Sequence, residues 1–269
     1  MEQTNRKKIG LALGSGGFRG PAHIGVIKTL LKHGIPIDYI TGSSIGALVG
    51  AHYALYQDVE KLENDFLKKQ REKIGMFSDI SRKGGLIAGN QIEKFFRKLF
   101  NDAEFKNTEI PLKIIATDLI SGSQMVFQKG DLAQAVRASI SIPMTFKPVP
   151  FRDKLLVDGG LSNPVPDDIV RDMGADIVIS VNLYNKYKYE NKASMVNVVM
   201  RGTEIILYNL AQSNMHDSDV IIEPNTSDFY RTPQLKKYFA NSYVEKILRQ
   251  GEIATEAVIP KIKELLQQQ

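Results

Sequence analysis

The 269-residue chain has no cysteine, no tryptophan and four histidines, and its 35 basic and 30 acidic side chains give a formal charge of +5. The missing thiols exclude disulfides, thiolate nucleophiles, zinc–thiolate sites and iron–sulfur clusters together; covalent chemistry falls to hydroxyls, carboxylates or lysines. At roughly 150 residues per domain the length allows one large or two small domains, and 43% hydrophobic with 24% charged residues is an ordinary globular balance.

The basic excess is modest. Arg6, Lys7 and Lys8, then Lys68, Lys69, Arg71 and Lys73, then Arg82, Lys83, Arg97 and Lys98 are interleaved with Glu60, Glu63, Asp65, Glu72 and Glu93. This mixing reads first as solvated helix faces and second as a membrane-facing patch; no nucleic-acid partner is expected. The apolar run after Lys8 is too short for a signal-peptide core of about 7–15 residues, and no stretch approaches the roughly 20 apolar residues of a membrane span. The expectation is a cytoplasmic protein with peripheral contact at the inner membrane face.

Along the chain, Lys8 to Leu13 reads as a strand ending in the glycine-rich turn Gly14-Ser15-Gly16-Gly17-Phe18-Arg19-Gly20. Pro21 suits a first helical turn, and Ile24, Ile27, Leu30 and Leu31 keep helical spacing until Gly34. Ile37 to Ile40 reads as a second strand, followed at once by Gly42-Ser43-Ser44-Ile45-Gly46 and an apolar helix. Two strand–turn–helix units in succession predict a parallel α/β sheet. Asp58 to Phe105 is charged and helical in pattern, broken at Gly84 to Ile87, and reads as a cap over one end of the sheet.

Strands are predicted at Leu112 to Thr117, Gln124 to Gln128, Lys154 to Val157, Asp176 to Asn182 and Val220 to Ile222. Helices are predicted at Leu132 to Ile140, Pro166 to Met173, Asn191 to Met215 and Tyr238 to Leu266. Without linker, low-complexity stretch or internal repeat, a single domain over 1–269 with a helical cap at 58–105 is the economical reading. The mainly helical part 190–269 has no assigned role.

Gly42-x-Ser44-x-Gly46 between a strand and a helix is the pattern of a nucleophile elbow, in which glycines relieve the crowding of a sharp turn. The serine hydroxyl is then presented at a helix N-terminus, where amides and dipole stabilise a developing anion. The alternative is a small-residue turn that lets helix and sheet pack closely. The Gly14–Gly20 loop lacks the Lys-Ser/Thr of a phosphate loop and the strict G-x-G-x-x-G of a dinucleotide site. A looser nucleotide reading pairs it with Asp38; the other reading makes the Gly16 and Gly17 amides an oxyanion hole facing Ser44.

Asp158, at the end of Leu155-Leu156-Val157 and before Gly159-Gly160, is a candidate base or a turn-forming Asp-Gly. Ser44, Asp158 and His216 also stand in the order of an α/β-hydrolase triad, although Asn214-Met215-His216-Asp217 suits a helix end. His23 and His52 read as internal hydrogen-bonding groups, and His33 as a helix C-terminus.

Taken together, Gly14 to Gly20 with Ala22-His23-Ile24-Gly25, Gly42 to Gly46 and Asp158 to Gly160 resemble the patatin-like phospholipase family. So do Ala116-Thr117-Asp118-Leu119, Arg137 to Pro143 and Asn163-Pro164-Val165-Pro166. The likeness covers residues 8 to 183 and is nearest to small bacterial members. It implies a three-layer α/β/α fold with a mainly parallel sheet and a lipid acyl hydrolase of phospholipase A, lysophospholipase or esterase type. It further implies a Ser44–Asp158 dyad, Gly16 and Gly17 as oxyanion donors, an Arg19 that steadies the loop or meets lipid phosphate, and no metal or other cofactor. Ser15 stands where members often have glycine, which puts the first amide of the loop in doubt as a donor. The competing class is a regulatory or lipid-binding protein that keeps the fold and uses the acyl site for recognition.

Overall fold

A computed structural model describes residues 6–68, 79, 85–186, 194–229 and 241–268. β1 (Ile9–Leu13) is buried along its whole length and leads through the glycine loop into α1 (Pro21–Lys32), with Pro21 at its first position. β2 (Tyr39–Ser43) begins two residues later than the apolar pattern predicts. The residues before it close the bottom of the sheet: the Asp38 carboxylate accepts the Ile9 amide at 2.8 Å and pairs with Arg6 at 2.6 Å. Asp38 therefore sits at the start of β1, at the opposite sheet end from Gly14–Gly20. The nucleotide reading of that loop falls with it.

After the elbow come α2 (Ile45–Tyr56), α3 (Val59–Lys68) and α4 (Asn90–Phe100). Lys69, Arg71, Lys73, Arg82, Lys83 and Gly84 of the predicted cap lie outside the described residues. The chain continues through β3 (Leu112–Asp118), β4 (Gln124–Phe127), α5 (Leu132–Ser139), β5 (Val149–Phe151) and β6 (Lys154–Asp158). It ends with α6 (Asp167–Arg171), β7 (Ile177–Val181), α7 (Met195–Asn214), β8 (Val220–Ile222) and α8 (Asn241–Gln267). β5 was not anticipated. It is three residues long with Pro150 at its centre, tolerable because β5 pairs with β6 alone, at the sheet edge.

The strand order is β5-β6-β3-β2-β1-β7-β8, with β4 also paired to β3. From β3 to β8 the neighbours run parallel, and all but the edge strand β8 are covered on both faces, as parallel sheets require. Ile9, Leu11 and Leu13 point into the larger core with α1, α2 and α4, whereas Ala12 and Val178 meet Val165, Val170 and Leu207 under α6 and α7. That alternation makes the three layers. α8 crosses α1 at near backbone contact: a Cβ on Gly25 would stand 2.1 Å from the Leu248 carbonyl, and one on Gly251 2.0 Å from that of Ala22. No described helix is long and apolar enough to cross a membrane.

Gly42 of β2 and Phe127 of β4 both pair with Ile114, so β2 and β4 occupy opposite edges of β3. Met125 and Asp158 both pair with Ala116, so β6 lies on the β2 edge. β2 is parallel to β3 and β6 antiparallel, so the two strands run toward each other. Ser43 faces Ile115, Asp158 faces the next residue, Ala116, and the C-terminal ends of β2 and β6 meet.

Candidate active site

Ser44 follows the last residue of β2 with φ 53° and ψ −121°, a conformation L side chains seldom adopt. The flanking glycines permit it. A Cβ on Gly42 would lie 2.6 Å from the Ala47 Cα, and one on Gly46 2.1 Å from the Leu13 carbonyl. The strand–turn–helix context is thus an elbow packed directly on the end of β1, and the close-packing alternative supplies its geometry rather than competing with it.

The Ser44 hydroxyl donates to Asp158 Oδ2 at 2.6 Å, and the Gly160 amide donates to Oδ1 at 2.8 Å. Both residues are buried. Burial drives the Asp158 carboxyl up from 3.8 to about 6, against the opposing pull of those two hydrogen bonds. The two glycines after it are steric necessities: a Cβ on Gly159 would stand 2.2 Å from the Ile115 carbonyl, and one on Gly160 2.6 Å from Ser15 Oγ.

The glycine loop folds over the same spot. Gly20 lies so close to Ile45 that a Cβ would come within 2.1 Å of its side chain, and a Cβ on Gly14 would reach the Val181 carbonyl. The Ser15 amide donates to the Pro164 carbonyl at 2.7 Å, which removes the first amide of the loop as an oxyanion donor. Gly17 has φ +55° and open space where a side chain would project; Gly16 and Gly17 both line the cavity beside Ser44. Arg19 is buried and turned inward, with Nε donating to the Gly16 carbonyl at 2.7 Å and Nη1 to that of Leu183 at 3.0 Å. These bonds brace the loop, and the Arg19 side chain also lines the cavity.

The histidines stand elsewhere. His23 Nε2 lies 2.7 Å from the Gly14 carbonyl, and burial lowers its pKa to about 4. Its partner is an acceptor, so the neutral ring carries its proton on Nε2 and props the glycine loop. His52 pairs with Asp65 and His33 with Glu256. His216 is exposed and does not line the cavity; Asp158 meets the serine without it. Among the described residues no group of three or more His, Asp and Glu side chains is placed to hold a metal ion.

Two supports escaped the sequence reading. Tyr184, pushed up to about 12 by burial, shares a 2.8 Å hydrogen bond with Ser15 and lies under the Arg19 guanidinium. Ser139 accepts the Ser44 amide. The Arg137–Pro143 stretch stood out in the sequence, but only the folded register shows what it touches.

Above the Ser44–Asp158 pair opens a cavity of about 530 Å³. Leu48, Phe66, Ile92, Phe95, Phe96 and Leu99 from α2, α3 and α4 form one wall, and Val199, Met200 and Leu207 of α7 another. At its rim Phe18, Met144, Val199 and Met200 line the cavity while remaining half-exposed.

An uncharacterised NTE family protein of Mycobacterium tuberculosis is 36% identical over 180 residues, 67% of this chain and 50% of that protein. Human patatin-like phospholipase domain-containing protein 6 is 32% identical over 181 residues, 65% of this chain and 13% of that one. The chain thus spans half or less of the length of these relatives. Among solved structures, VipD from Legionella pneumophila has a TM-score of 0.53 at 13% identity, covering 95% of this chain and 67% of that one. Human GIVD cytosolic phospholipase A2, solved with a fluorophosphonate inhibitor, has a TM-score of 0.51 at 10% identity, covering 99% of this chain and 60% of that one. Both likenesses concern the fold. The family model of the patatin-like phospholipases matches residues 11–170, and the chain belongs to that family.

Proposed function

We propose that the chain hydrolyses acyl esters of lipids with Ser44 as nucleophile and Asp158 as its only general base. The observation that carries the reading is the 2.6 Å hydrogen bond from the Ser44 hydroxyl to the Asp158 carboxylate at the floor of an apolar cavity. A carboxylate raised to about 6 is a stronger base than an exposed aspartate yet remains ionised at neutral pH. Ser44 Oγ attacks the ester carbonyl as its proton passes to Asp158, and the Gly16 and Gly17 amides receive the oxyanion. Collapse expels the alcohol, which takes the proton. Water activated by the same carboxylate then hydrolyses the acyl-enzyme and frees the fatty acid.

The half-exposed apolar rim supports a second element of the proposal. Phe18, Met144, Val199 and Met200 are both cavity wall and protein surface, so a lipid phase covering them would be continuous with the acyl site. This rim is the surface we infer is offered to a membrane. The hydrolase reading is tested with a short-chain nitrophenyl ester, comparing wild type with Ser44→Ala and Asp158→Asn. Both variants are expected to be inactive; equal turnover by all three proteins overturns it and favours a recognition protein.

A further inference from the structure

The stretch Ser139-Ile140-Ser141, at and after the end of α5, lies between the two halves of the dyad. The β2–β3 ladder shows what is unusual there. The Ile40 amide donates to the Pro111 carbonyl at 3.0 Å, and donors facing one edge of a strand recur every second residue. With Ser43 opposite Ile115, the next donor due at the Ile115 carbonyl is the Ser44 amide. It does not arrive, because the backbone has already turned into the elbow. The Ser139 hydroxyl fills the gap: it accepts the Ser44 amide at 2.8 Å and donates to the Ile115 carbonyl at 2.5 Å. Ser139 is fully buried.

The same stretch holds the base. The Ser141 carbonyl accepts the Asp158 amide at 3.0 Å. Arg137 fixes the stretch in turn, donating to Ser141 Oγ at 2.6 Å and to the Ala88 and Lys147 carbonyls at 3.1 Å each.

We infer that Ser139 is a positioning residue for the nucleophile: its hydroxyl, inserted into the β2–β3 ladder, holds the elbow open by one oxygen atom and so sets the reach from Ser44 to Asp158. Without it, the Ser44 amide and the Ile115 carbonyl, both left buried and unpaired, satisfy each other by closing the ladder, and this draws the serine away from the carboxylate. The inference rests on the dyad reading above.

The test is steady-state hydrolysis of a nitrophenyl ester across pH by Ser139→Ala and Ser139→Thr, alongside Ser44→Ala and Asp158→Asn. Ser139→Ala is expected to lower kcat about 100-fold, the cost of a misplacement near 1 Å, with KM little changed. Its acid limb is expected to move to higher pH, because Asp158 loses the serine hydrogen bond that holds its carboxyl down. Ser139→Thr keeps the hydroxyl and is expected to recover most of kcat and the original limb. A folded Ser139→Ala with wild-type kcat and acid limb, even at a lower melting temperature, overturns the inference. If Ser139→Ala does not fold, Ser139→Cys, a poor donor of similar shape, carries the same comparison with the same two outcomes. Full activity in Ser44→Ala or Asp158→Asn would instead overturn the dyad itself.

Discussion

Replacing Asp158 with asparagine should make the protein more stable as it makes it inactive, and only over part of the pH range. The Asp158 carboxyl titrates near 3.8 unfolded and near 6 folded. The folded state therefore holds the proton more tightly, and stability falls as pH rises through that window. At 1.36 kcal/mol per pH unit the loss is about 3 kcal/mol, complete above pH 6 and absent below about 3.8. Asparagine removes the charge and keeps the shape; its oxygen can accept the Gly160 amide and its NH2 can donate to Ser44 Oγ.

His23 works in the opposite sense. Its pKa falls from 6.5 unfolded to about 4 folded, so stability is lost as pH drops through that interval, again by about 3 kcal/mol. The two slopes offset each other between pH 4 and 6 in the wild type. In Asp158→Asn the histidine slope is no longer opposed by that of Asp158. Denaturant unfolding from pH 4 to pH 8 should show the variant ahead by about 3 kcal/mol at pH 8, or roughly 6–12 °C in melting temperature for a chain of this size, with the advantage gone near pH 4. Parallel curves, or a wild type that is the more stable at pH 8, would refute the assignment of a buried, destabilising carboxylate.

The exposed His216 should be dispensable: His216→Ala keeps kcat/KM for a nitrophenyl ester within about twofold, whereas a loss beyond tenfold would restore the triad. Gly251→Ala places a methyl 2.0 Å from the Ala22 carbonyl where α8 crosses α1 and should cost about 3 kcal/mol by denaturant unfolding. Gly17→Ala meets no atom and should cost only about 1 kcal/mol for its positive φ. Equal costs for the two would contradict the steric account. Val198 and Ile206 are exposed on α7 outside the cavity; the double change Val198→Asp and Ile206→Asp should weaken sedimentation with anionic phosphatidylglycerol vesicles and leave soluble-ester turnover unchanged. Undiminished vesicle binding would remove α7 from the lipid-facing surface.

Much of the element order was legible because glycines and short apolar runs punctuate this sequence sharply. Ser44 and Asp158 could be named from the small residues beside them, since those glycines are required by contacts 2.1 to 2.6 Å away. That the two side chains meet was not legible from spacing. They are 114 residues apart, and their contact depends on β6 arriving antiparallel on the edge of β3 that β2 has just vacated. β5 is not legible because three residues around a proline carry no readable alternation, and the apolar pattern sets β2 early because Ile37 is apolar yet precedes the ladder. Ser139, although inside the Arg137–Pro143 stretch, carries no mark of its role in the sequence, and Tyr184 and Gly251 are ordinary residues there. Each acquires its meaning from a partner: an elbow amide, a loop hydroxyl and a crossing helix.

The head-on approach of β2 and β6 along one edge of β3 has a consequence for how this scaffold can vary. The proposed nucleophile and base are referenced to consecutive residues, Ile115 and Ala116, whose Cα atoms are about 3.8 Å apart in any trans peptide. The spacing of Ser44 and Asp158 is therefore gauged by a single peptide unit at the centre of the sheet. Apart from α2, which follows Ser44 directly, the helices that wall the cavity hang from other parts of the chain and do not enter that measurement. α3, α4 and α7 could be lengthened, reshaped or exchanged to suit a different acyl chain while the serine and the aspartate stayed in register.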